Sequence, residues 1–157
     1  MSAGLIDRIR QHVPQQLLEL PIWLLRDSHK VPIYANGTRR HGTLDGAEDR
    51  AQLVTFERGA AGLGRSRDAT GLGVALGKVD AETIVSGIDF DHVVGGAGVI
   101  DPRVLEVMAA AGSYAERSPS GRGVHILGLG DIGTTKTASV EIYSSARYFT
   151  VTGDRLN

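Results

Sequence analysis

Residues 113–153 read SYAERSPSGRGVHILGLGDIGTTKTASVEIYSSARYFTVTG. Four short segments stand out: SYAERS, VHILGL, SVEIY and RYFTVTG. Each alternates or is rich in β-branched and aromatic residues, and Gly, Pro and Ser clusters separate them, which is the pattern of strands joined by turns. No helix-length segment interrupts them, so short connections must join successive strands and the sheet they build is mostly antiparallel. One decoy lies inside. GLGDIG (128–133) matches the glycine spacing of a dinucleotide-binding turn, but a helix has to start there. The next ten residues, TTKTASVEIY, read as loop and then strand. The turn SPSGRGVH (118–125) has two readings. It is a hairpin turn built from turn-forming residues, or a loop whose amides, with Arg122 and His125, hold phosphate.

Upstream, residues 2–13 read as a helix capped by Ser2, with Leu5, Ile6, Ile9 and Val13 on one face and Pro14 as its stop. IWLLR (22–26) and VPIY (31–34) read as strands. AEDRAQLVTFERGAAG reads as one helix over 47–62, with Asp45 as its cap. LGVAL (72–76) and TIVSGIDFD (83–91) read as strands. Asp101-Pro102 opens a helix that runs to Ala111 and stops at Gly112. Helix, two strands, helix, two strands, helix, four strands is not a βαβ alternation. The fold class expected is α+β, with residues 1–157 as a single domain.

Composition narrows the chemistry. There is no cysteine, which excludes disulfides, thiolate zinc sites and a cysteine nucleophile. Seventeen basic residues against 18 acidic leave a formal net charge of -1, so contact with nucleic acid has to come from local patches. Aromatics are 5% of the chain, too few for a base-stacking platform. No apolar run of about 18 residues is present and no secretory leader is evident, so the expectation is a cytoplasmic protein with no membrane contact. No phosphate-binding GxxxxGK[ST] loop occurs, and the histidines of HKVP and TRRH fit no zinc spacing.

The chemistry is concentrated in SGIDFDH, residues 86–92. Strand side chains alternate, so Asp89 and Asp91 project from one face while Ile88 and Phe90 point into a core. Two carboxylates held side by side raise each other's proton affinity, and a cation between them relieves this. Oxygen ligands suit Mg²⁺ or Mn²⁺. Taken alone, the pair reads more readily as the solvated end of a strand. Glu141, in SVEIYSS, is a third acid; it converges on the pair if its strand is a neighbour. Ser120, Arg122 and His125 offer hydroxyl, guanidinium and imidazole donors for phosphate.

In order, IDFDH, YAERSPSGRGVHILGLG and VEIYSSARYFTVTG resemble the archaeo-eukaryotic primase superfamily. The narrower resemblance is to the primase–polymerase domains at the N-terminus of phage and plasmid replication proteins. IWLLR with HKVPIY, and LVTFERGAAG with GLGVALG, extend the likeness over about residues 20–153. The resemblance implies two packed α/β halves, the second built on a mostly antiparallel sheet like that of RNA-recognition domains. It implies that Asp89, Asp91 and Glu141 bind two metal ions, Mg²⁺ or Mn²⁺, with Asp131 a rival for the third acid. It assigns Ser120, His125 and Arg147 to the nucleotide, with Lys30 lining the site. Arg39, Arg40, Arg65 and Arg67 either grip template phosphates or are solvated loop residues. The implied activity is a metal-dependent, DNA-templated nucleotidyltransferase, a DNA primase and polymerase of a mobile element. Its partners would be nucleoside triphosphates, a single-stranded DNA template and a helicase domain or protein. Such proteins usually continue further, so this chain is expected to be an N-terminal piece. Two other functions stay open: a non-catalytic nucleotide- or single-stranded-DNA-binding module of the same fold, and a metal-dependent nuclease.

Overall fold

The computed structural model describes residues 2–137 and 139–157. The helices are α1 Ser2–His12, α2 Gln15–Glu19, α3 Ala47–Gln52, α4 Phe56–Arg65 and α5 Pro102–Ala111. The strands are β1 Trp23–Arg26, β2 Pro32–Ile33, β3 Gly71–Ala75, β4 Gly77–Lys78, β5 Ile84–Phe90, β6 Tyr114–Arg117, β7 Val124–Leu129, β8 Thr135–Lys136, β9 Val140–Tyr143 and β10 Tyr148–Val151. They form a four-stranded sheet in the order β10-β3-β1-β2 and a six-stranded sheet in the order β6-β7-β5-β9-β8, with β4 paired to the start of β5. All these pairings are antiparallel. The mixed, antiparallel architecture agrees with the α+β reading. Among the described residues, no helix is long and apolar enough to cross a membrane.

Three clusters of apolar side chains organise the molecule, and two of them lie on the larger sheet. The main core lies between the sheets and under α1, α2 and α4. It joins Trp23, Leu25, Leu72 and Phe149 of the smaller sheet to Tyr114, Leu127 and Tyr143 of the larger one. Trp23 meets Phe56 edge-on at 5.1 Å, and its indole N–H donates to the Leu17 carbonyl at 2.9 Å. The opposite face of the larger sheet presents Phe90, Ala115, Val124 and Ile126 to Val104 and Met108 of α5. That helix is bounded as its sequence suggests. Asp101 caps it by accepting from the Arg103 amide, and Gly112 closes it in the left-handed conformation, φ 59°.

Three expectations are corrected. The helix read over 47–62 is two helices, because Val54 between them is extended and exchanges backbone hydrogen bonds with Trp23, at 2.8 and 3.2 Å. Its cap is not Asp45: Gly46 precedes α3, and Asp45 itself adopts φ 67°. The last of the four successive strands does not stay with the other three. β10 pairs with β3 in the smaller sheet, Phe149 opposite Val74. Ala146, at φ 52°, turns the chain out of one sheet and into the other. As anticipated, no helix follows GLGDIG among the described residues; β7 runs into a loop and then into β8.

Candidate active site

Antiparallel register decides which side chains meet. On β5, Asp89 stands opposite His125 of β7 and Glu141 of β9. His125 stands opposite Glu116 of β6, and Glu141 opposite Lys136 of β8. Register partners share a face, so Glu116, His125, Asp89, Glu141 and Lys136 form one row across five strands. The row lies on the side of the sheet that looks toward the other sheet. Ile88 and Val140, facing the other way, pack with the α5 core. The strand of Glu141 is thus the direct neighbour of the strand of Asp89.

Where the sheets part, this row opens into a cleft of about 390 Å³. Asp89, Asp91, Glu141 and His125 line it together with Lys30, Arg147 and Phe149. Phe149 is the floor. Its ring stacks on the His125 imidazole at 4.7 Å and meets Tyr143 edge-on at 6.4 Å. Gly87 makes this possible, since a Cβ there would run into the Phe149 ring. Arg147 sits with its guanidinium 5.0 Å from the centre of the Tyr143 ring, a cation–π contact that holds positive charge beside the carboxylates.

The hydrogen bonding within the row is uneven. His125 Nε2 lies 3.3 Å from Asp89 Oδ1, while its Nδ1 is buried with no partner among the described residues. Glu141 takes the Lys136 ammonium at 2.9 Å and accepts from the Tyr143 hydroxyl at 2.8 Å. Lys136 and Tyr143 hold the Glu141 carboxyl below the usual carboxylate range, although burial and the charge of Asp89 push the other way. Burial, then Glu141, pushes the Tyr143 phenol up. Among the described residues, no three His, Asp or Glu side chains close around a single ion position. The donor set still fits a divalent, oxygen-seeking ion: Asp89, Asp91 and Glu141 supply hard carboxylates to one cleft, and Asp89 and Glu141 repel each other in register.

The turn SPSGRG brings some of its residues to the cleft and not others. The Ser118 amide donates to the Gly123 carbonyl at 2.9 Å, and Ser118 Oγ accepts from the Gly123 amide at 3.0 Å. Gly121 takes φ 77° at the tip. This places Ser118, Pro119 and Ser120 on the lining. Arg122 is exposed and absent from that lining, which departs from its expected role; its carbonyl accepts instead from the Val93 and Val94 amides, both at 2.9 Å. Asp131 also lies outside the cleft, in a turn where it accepts from the Gly133 amide at 2.9 Å. Arg40 is corrected outright: its side chain is 1% exposed and pairs with buried Asp49 at 2.7 Å, so it is a structural ion pair and not a grip for DNA. Arg39, Arg65 and Arg67 line no part of the cleft. Lys30 sits at the rim with φ 63°, its carbonyl accepting from the Tyr148 hydroxyl.

Sequence reading missed the groups that support this site. Asp45 accepts from the Ala146 amide at 2.6 Å and from Arg50 at 2.8 Å. Arg50 also donates to the Leu76 carbonyl at 2.7 Å, and the Leu76 amide donates to the Arg147 carbonyl at 2.8 Å. Asp45 and Arg50 therefore hold the loop that carries Arg147. Glu116 is fully buried and accepts from the Tyr114 hydroxyl at 2.7 Å and the Gly153 amide at 3.0 Å, tying β6 to the segment after β10. The spacing of Tyr114, Glu116 and the strand period put Glu116 on an inward face, a signal readable in YAER. For Asp45 no local signal existed.

No family model matches the chain. It is similar to a curated protein described as DNA Primase-polymerase, from Nitratiruptor phage NrS-1, with 33% identity over 146 residues. That match covers 85% of this chain and 19% of the relative, so the chain spans about a fifth of the relative's length.

Proposed function

We propose that this chain carries the catalytic core of a divalent-metal-dependent, DNA-templated nucleotidyltransferase, a primase–polymerase of the archaeo-eukaryotic primase type, serving replication of a phage or plasmid. One observation carries the reading: Asp89 stands in register between His125 and Glu141 in a cleft that Asp91 and Arg147 also line. The similarity to a phage DNA primase-polymerase supports it from an independent direction.

Asp89, Asp91 and Glu141 would hold Mg²⁺ or Mn²⁺, which supplies activation of an attacking 3′-hydroxyl and charge neutralisation of the polyphosphate. The chain's own residues do the rest. Arg147 and Lys30 line the same cleft as the carboxylates and supply positive charge for a triphosphate. The Ser120 hydroxyl, near the tip of the turn, and His125 Nε2 offer hydrogen bonds to phosphate oxygens. The Phe149 ring beneath His125 fixes the imidazole plane, so the donor is set before substrate arrives. Tyr143 orients Glu141 through its hydroxyl.

The test is primer extension and unprimed synthesis on single-stranded DNA with Mg²⁺ or Mn²⁺, using ribo- and deoxynucleotides, beside Asp89→Ala. Incorporation should fall by at least about 100-fold in the variant, the scale of losing one preorganised electrostatic group. Equal incorporation by a pure, folded Asp89→Ala protein would refute the assignment. Degradation of labelled DNA without added nucleotides would point to a nuclease. Triphosphate binding without products would point to a binding module.

A further inference from the structure

The cleft holds its charges in balance. Asp89, Asp91 and Glu141 line it together with Lys30, Lys136 and Arg147. Among the described residues, Lys136 is the member of that cationic set in ion-pair contact with a cleft carboxylate, at 2.9 Å from Glu141 Oε1. The contact follows from register, since Lys136 stands directly opposite Glu141. It is also a weak contact by construction. β8 is a two-residue strand at the edge of the sheet, and the Lys136 side chain is 66% exposed. Water screens such a pair heavily, and the four-carbon stem lets the ammonium swing without moving the backbone.

A divalent ion drawn to Asp89 and Glu141 competes for the oxygen that Lys136 holds. It carries twice the charge and binds oxygen at shorter range than an ammonium does. The displaced ammonium stays local, because β8 remains paired to β9 through Thr135 opposite Ile142 and Lys136 opposite Glu141. It is left at the cleft, facing the anions of whatever polyphosphate enters there.

We propose that Lys136 is the resident counter-ion of Glu141, and that a divalent cation displaces it onto the polyphosphate of a nucleoside triphosphate. The proposal rests on the nucleotidyltransferase reading of the cleft. Metal and nucleotide then assist each other, because each stabilises the same position of one side chain.

The experiment measures binding, not turnover. Free Mn²⁺ is titrated by electron paramagnetic resonance with the full chain, without nucleotide, for the native protein, Lys136→Met and Lys136→Arg. A non-hydrolysable triphosphate analogue is then titrated in the presence of Mn²⁺. Removing an exposed competing cation should tighten Mn²⁺ binding about two- to fivefold in Lys136→Met. Losing a charge-assisted phosphate contact should weaken analogue binding about tenfold, with Lys136→Arg close to native. Unchanged or weaker Mn²⁺ binding in Lys136→Met, or unchanged analogue binding, overturns the exchange. Mn²⁺ bound equally by native protein and Lys136→Met removes the exchange alone and leaves the metal-dependent reading standing. Mn²⁺ bound by none of the three proteins removes both.

Discussion

Gly87 shows how much a missing side chain can decide. It sits two residues before Asp89 on the same face of β5, and its bare backbone admits the Phe149 ring that supports His125. A methyl group there has nowhere to go. Gly87→Ala should cost about 1–3 kcal/mol by overpacking, measured as a shift in the denaturation midpoint. Shrinking the ring should relieve the clash, so Gly87→Ala with Phe149→Leu should be less destabilised than the two single changes added together. Strict additivity would mean that the glycine is there for another reason. SGIDFDH reads as placing Asp89 and Asp91 together by strand alternation, a local property; both line the cleft, although β5 ends at Phe90 and Asp91 follows it. The contact between Gly87 and Phe149 was not legible, because the two residues belong to different sheets.

At the level of the loop and the short helix, Asp45 does the work that a cap residue was expected to do, but for a different partner. Its carboxylate spans from the start of α3 to the Ala146 amide, one residue before Arg147. Asp45→Ala should release this loop and raise the nucleotide KM about tenfold, a modest loss for a misplaced contact, with kcat changed far less. Asp45→Asn, which keeps an acceptor oxygen, should recover part of the loss. A fall in kcat alone, with KM unaltered, would contradict a role in positioning Arg147. The same region explains why one expected helix is two. AEDRAQLVTFERGAAG has helical composition throughout, yet the pairing of Val54 with Trp23 pulls the chain between α3 and α4 into an extended path.

For the molecule as a whole, the charge cluster beneath this loop sets a pH dependence. Burial would push the Asp49 carboxyl up, but Arg40, the Tyr34 hydroxyl and the Asp45 amide outweigh it and hold it at about 2, below the ordinary value of 3.8. A lowered carboxylate contributes stability that is present above pH 3.8 and lost as pH falls through about 2. Chemical denaturation at pH 5, 3 and 2 should therefore show the gap between native protein and Asp49→Asn narrowing by about 1–2 kcal/mol. A gap independent of pH would mean that Asp49 is not ionised in the folded protein. Glu116 runs the other way. Burial raises its carboxyl despite the Tyr114, Thr152 and Gly153 donors, so its contribution is full below pH 4.5 and lost as pH rises through the raised value. Comparing each pH with Asp49→Asn separates the two.

Periodicity, turn chemistry and capping are properties of neighbours in the chain, and they could be read directly. They placed Asp89 and Asp91 together, set both ends of α5, ruled out a helix after GLGDIG and marked the strands that bear His125 and Glu141. Strand order and register are contracts between distant segments, and nothing in a local pattern names the partner. Folding therefore decided that β9 lies beside β5, which brings Glu141 to Asp89, and that β10 leaves its apparent sheet to carry Phe149 under His125. It also decided the fate of the charges. A side chain's identity states its charge but not its solvation, so Arg40 ended in a buried pair with Asp49, Arg122 ended outside the cleft, and Lys136, read as part of a loop, ended on Glu141.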